Sequence, residues 1–88
     1  MDPDTNDLLA TFNRRRNGLN TSLDESRKAI DDWFDRQPMP PPLPALAQLE
    51  VLLKTRRDLL EQLVILDDDF MLQLIQVRAE RSAGGERA

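Results

Sequence analysis

Gln37-Pro38-Met39-Pro40-Pro41-Pro42-Leu43-Pro44 decides how this chain folds. Proline has no amide hydrogen and its ring clashes with the preceding turn, so no helix continues through such a cluster. On the N-terminal side, Leu9, Phe12, Arg16, Leu19, Leu23, Ser26, Ile30 and Trp33 recur at alternating spacings of three and four. On the C-terminal side, Leu49, Leu53, Arg56, Leu60, Leu63, Asp67, Phe70 and Leu74 do the same. That alternation is the spacing of a narrow helix–helix seam. The chain is therefore predicted to be all-α, a coiled-coil-like antiparallel hairpin. Its expected parts are a helix over 3–36, a proline-rich loop over 37–43, a helix over 44–81 and a flexible tail over 82–88.

The first helix is expected to begin at Asp2-Pro3 or at Thr5. A capping aspartate followed by proline suits the unpaired amides of a first turn, and Asp4 and Asp7 favour the positive end of the helix dipole. Asn17-Gly18-Leu19-Asn20-Thr21-Ser22 is poor in helix formers, and Ser22 with Glu25 has capping-box spacing. The apolar rhythm keeps its phase there, which favours one continuous helix over a bend. Pro44 suits the first turn of the second helix, where an amide hydrogen would have no partner. Pro41-Pro42-Leu43-Pro44 also has the form of a proline-rich ligand, although a stiff hairpin loop accounts for it more simply.

Folding the chain about Pro41 pairs residues equidistant from it. Trp33 then faces Leu49, Ile30 faces Leu53, Leu23 faces Leu60, Leu19 faces Leu63, Phe12 faces Phe70 and Leu9 faces Leu74. Polar residues meet as well: Arg16 falls opposite Asp67, and Ser26 opposite Arg56. These two layers are expected to fix the register and to add little stability.

The second helix carries more apolar surface than the first can cover. At about 100° per residue, Leu52, Leu59, Leu63, Leu66, Phe70, Leu74 and Val77 form one stripe, and Leu46, Leu53, Leu60, Val64, Met71 and Ile75 form another. Ile65 and Leu72 lie further round. With 88 residues the chain is near the size at which a single core becomes marginal, and with no cysteine no disulfide compensates. The second stripe is therefore expected to be covered by another helix. A second copy would complete a four-helix bundle; a helical partner protein would complete a mixed one. The residues expected to bind that partner are Leu46, Leu60, Val64, Met71, Leu72 and Ile75, with Phe34 as an aromatic anchor while Trp33 stays in the core.

The composition argues against catalysis. The chain has no histidine, cysteine or tyrosine, hence no common general base and none of the usual zinc ligands. The carboxylates of Asp67-Asp68-Asp69 point apart on a helix and form no metal site. Neither a cofactor nor a small-molecule substrate is expected. A net charge of −4 gives no bulk attraction to nucleic acid, and Arg14-Arg15-Arg16 lacks interleaved aromatics. The longest apolar run, Leu63–Leu66, is too short to span a membrane, and the acidic first residues lack the features of a signal peptide; a cytoplasmic protein is expected.

The segment Leu63–Arg78 resembles a helix of the flagellar FliT-type export chaperones. Ile65-Leu66-Asp67 and Leu74-Ile75-Gln76-Val77-Arg78 match their Ile-Leu-Asp and Leu-Leu-Gln-x-Arg-like runs, with the spacing one residue short. By size and build the chain also resembles other two-helix proteins of type III secretion, both chaperones and needle subunits. The resemblance implies a small cytosolic helical protein that shields an amphipathic helix of an export substrate. The expected function is thus a non-catalytic helical adaptor or secretion-type chaperone. The alternatives are a self-assembling structural subunit, or a regulator that sequesters a protein factor.

Overall fold

The computed structural model describes residues 3–87, with side chains described for residues 5–80. Two helices account for it: α1, Pro3–Arg36, and α2, Leu43–Arg87, folded back on each other as an antiparallel hairpin. The molecule is a rod of 70 × 16 × 13 Å.

The prolines make the hinge through their effect on backbone pairing. The Gln37 amide donates to the Trp33 carbonyl at 3.1 Å and closes the end of α1. The Pro42 carbonyl then accepts from the Ala45 and Leu46 amides at 3.0 and 3.2 Å, which opens α2. Pro44 sits in that first turn, where its missing amide hydrogen removes no helical bond. α2 thus begins one residue earlier than the loop composition suggests.

Thr5 lies inside α1 and does not cap it, while the proposed cap Asp2 is outside the described residues. The backbone over 82–87 is helical, so α2 runs on past Arg81, where the second helix was expected to end; Ala88 lies outside the described residues. Extending a formed helix gains one hydrogen bond per residue fixed, and no proline follows Pro44 to stop it. The weak segment Asn17–Ser22 stays within α1, where the Thr21 hydroxyl donates back to the Asn17 carbonyl at 3.0 Å.

Gly18 lies in that segment, and a Cβ placed there would meet nothing within 4 Å. Gly18→Ala should therefore stabilise the hairpin by about 0.5–1 kcal/mol through helix propensity alone. A rise of a few degrees in the melting temperature would be the sign of it; a fall would mean that this face of α1 is occupied.

The core is thin and thickest near the hinge. Ile30, Trp33 and Ala45 are buried, and the Trp33 indole Nε1–H donates to the Ala45 carbonyl at 2.9 Å. Further along, Leu8, Phe12, Leu19 and Leu23 of α1 are half-buried, as are Leu49, Leu52, Leu59, Leu63, Leu66, Phe70, Leu74 and Val77 of α2. Phe12 and Phe70 stack with ring centroids 3.9 Å apart and planes 15° off parallel, as the fold about Pro41 requires.

Several predicted pairings are corrected. Leu53 and Leu60 are exposed, and Leu52 and Leu59 take their places against α1. Two three-four series run along α2, and they share Leu49, Arg56, Leu63 and Phe70. They differ by one residue in between, so spacing alone does not choose between them. The same ambiguity exchanges Leu9, which is exposed, for Leu8. The Trp33 indole finds a carbonyl acceptor at Ala45, one turn nearer the hinge than Leu49. Ser26 is buried with its hydroxyl unpartnered and Arg56 is exposed, so this predicted polar layer forms no hydrogen bond.

Candidate functional site

α2 presents α1 with one apolar stripe and leaves the other bare. Leu52, Leu59, Leu63, Leu66, Phe70, Leu74 and Val77 all lie along the interface with α1 and are half-buried. A quarter turn away, Leu46, Leu60, Val64, Met71 and Ile75 are 41–59% exposed, and Leu53 lies among them at 39%. The stripe therefore runs from the hinge to the open end of the rod, about 44 Å along α2 at the usual rise per residue.

α1 adds to the same flank. Arg16, Leu9 and Phe34 share one side of α1, since the eighteen residues from Arg16 to Phe34 make about five full turns. Phe34 is half exposed and packs edge-on to the buried Trp33, with centroids 4.9 Å apart. The two aromatics thus divide their roles as the sequence suggests, Trp33 inside and Phe34 out. Leu72 stands apart, 64% exposed but about half a turn from the α1 seam, so it borders the flank and does not share its centre.

The Arg16 guanidinium crosses this flank to Asp67, Nε to Oδ1 at 3.6 Å, with each side chain 49% exposed. Of the four residues expected to set register, these two meet and Ser26 and Arg56 do not. Solvent limits an ion pair this open to about 1 kcal/mol or less. Exchanging the two, Arg16→Asp with Asp67→Arg, should keep stability within that range of the parent. Each single reversal should cost more than the exchange, as read by thermal unfolding.

The opposite flank holds two open grooves that the sequence reading did not anticipate. One, of about 510 Å³, lies near the hinge beside Ala29, Trp33, Val51 and Leu52; the other, of about 480 Å³, lies at mid-rod beside Gly18, Ser22, Ile65 and Asp69. Gly18, Ser22 and Ala29 fall on one side of α1, and their small side chains leave the space. That spacing of small residues was the available signal.

Charged runs diverge on this framework. Asp67 pairs with Arg16 on one flank while Asp69 lines the groove on the other, and Arg15 and Arg16 part in the same way. Among the described residues no group of three or more carboxylates is placed to hold a metal ion. Among those residues, too, no helix is long and apolar enough to cross a membrane. No family model, curated protein or solved structure matches this chain.

Proposed function

We propose that this hairpin is a non-catalytic helix-binding module, an adaptor or chaperone acting in the cytoplasm. The observation that carries the reading is the bare second stripe of α2. Leu60, Val64 and Met71 stand in water on a rigid helix, at the spacing that an amphipathic helix needs to lay its own apolar side against them. Desolvating such a stripe supplies affinity, and the charges beside it select the partner and its direction. Met71 is an adaptable contact, since its unbranched thioether re-packs around different neighbours. The likeness of Leu63–Arg78 to an export-chaperone helix supports the chaperone form of the reading, with the amphipathic helix of a secreted protein as cargo.

The test compares what the intact chain and its Val64→Asp variant retain from the native cell, identified by mass spectrometry. A helical protein retained by the first and lost by the second, with equal circular dichroism, is the expected result. Identical sets of retained proteins would overturn the assignment of this flank.

A further inference from the structure

We infer that the helix covering this flank is α2 of a second copy, laid antiparallel across the first and centred on Gln62; the inference rests on the flank being a docking surface. The reason is a palindrome in α2. Outward from Gln62, Leu60 mirrors Val64, Arg56-Arg57 mirrors Asp68-Asp67, and Leu53 mirrors Met71. The four central stripe residues thus reflect onto one another, and the two arginines reflect onto the two aspartates. A helix built this way is complementary to itself in the antiparallel sense, the condition for a closed two-fold dimer.

The helical angles bring these residues to one face of α2. Leu53, Leu60, Val64 and Met71 lie along the midline of the exposed stripe. Arg57 and Asp68 fall on its outer edge, and Arg56 and Asp67 on the edge nearer α1. In an antiparallel pair like edges meet, so Arg57 comes within one residue of the level of Asp68 of the other copy, and Arg56 within one residue of its Asp67. Within one chain these groups are largely uncommitted. The ion pairs among the described residues are Arg16–Asp67 and Arg36–Asp32, and neither uses Arg56, Arg57 or Asp68.

The two-fold axis that joins the α2 helices also sets α1 beside its copy and closes an antiparallel four-helix bundle. Arg16–Asp67 places Thr21 of α1 level with Gln62, and reflection about that level brings Phe34 of one copy within one residue of Leu9 of the other. Both are exposed apolar residues on this flank. Arg16 comes level with Ser26 of the other copy and within one residue of its Arg27, an unfavourable meeting that Asp67 beside Arg16 offsets.

The areas agree. A flank about 44 Å long on a rod 16 Å across offers roughly 700 Å² per copy, or roughly 1,400 Å² per pair, the size of an ordinary stable interface. The single chain exposes 7059 Å², whereas a compact monomer of 10.1 kDa exposes about 5,300 Å². A second copy removes about two-fifths of that excess.

Because the chain has no cysteine, orientation can be read with single thiols. Full-length Leu53→Cys and Met71→Cys chains, mixed and oxidised, should give a covalent dimer, while neither variant alone should. Positions 53 and 71 lie about 27 Å apart along α2, so no disulfide forms within a chain. Arg57→Asp should weaken the dimer roughly tenfold in sedimentation at low salt, and adding Asp68→Arg should restore it. Crosslinking of either single variant with itself, or no crosslink in the mixture, would overturn the inference. A monomeric chain that still retains a protein lost by Val64→Asp would overturn the second copy as occupant and leave the helix-binding reading standing. A chain that neither pairs nor retains such a protein would retire both.

Discussion

Trp33→Ala should cost the hairpin about 3–5 kcal/mol, enough to remove most of the stability available to a chain of this size. Trp33 is only 6% exposed, and its neighbours Ile30 and Ala45 make up the rest of the buried apolar core among the described residues. Truncation opens a void where the packing is densest and also removes the indole donor from the Ala45 carbonyl. Nothing else clamps the first turn of α2 to the last turns of α1 with a side-chain hydrogen bond among the described residues. Urea unfolding followed by far-ultraviolet circular dichroism, at a fixed chain concentration, measures the loss. Trp33→Phe separates packing from hydrogen bonding, since it keeps an aromatic ring but no donor. It is expected to lose less than the alanine variant, with about 1 kcal/mol of its loss due to the missing bond. A loss below about 1 kcal/mol for Trp33→Ala would place the indole outside the structure's core.

Met71→Asp should abolish association while leaving the helical signal in place. Met71 is 58% exposed in the single chain, so the variant carboxylate stays in water until a partner helix arrives. Association then buries an unpaired charge, at a cost of about 3–5 kcal/mol, or about two to nearly four orders of magnitude in affinity. Leu72→Asp is the informative neighbour: one position on, its side chain points about 100° away from the stripe. Affinity for that variant should stay within about tenfold of the parent. Loss of helix content in Met71→Asp would instead mean that Met71 belongs to the intramolecular core. Equal loss of affinity in both variants would mean that the docking face is wider than one stripe.

The hairpin was legible because prolines and apolar spacing act through the backbone and through water, which every chain feels alike. Phe12 against Phe70 and Arg16 against Asp67 follow from the position of the hinge alone. The choice between Leu52 and Leu53, or Leu59 and Leu60, was not legible in the same way. Two seams one residue apart are both apolar, and only the real pitch and curvature of the helices decide between them. The candidate site shows the same split. Two stripes on α2 could be read from helical angles and the second assigned to a partner, yet the seam series took Leu53 and Leu60 from that same stripe, which the structure leaves bare. Ser26 opposite Arg56 failed for a geometric reason. A short hydroxyl on one helix does not reach a guanidinium that extends into solvent. The grooves beside Gly18 and Ser22 escaped notice because small residues signal absent volume, which apolar periodicity does not register.

All of this depends on α2 turning Leu63 toward α1 and Val64 away from it. Thiols placed at Leu19 and Leu63 test that division directly, with thiols at Leu19 and Val64 as the paired control. Oxidation should close the 19–63 pair within a single chain, giving a faster-migrating monomer on a non-reducing gel, and should leave the 19–64 pair open. Closure of the 19–64 pair in place of the 19–63 pair would contradict the account, because the stripe assigned to a partner would then be the one that α1 already covers.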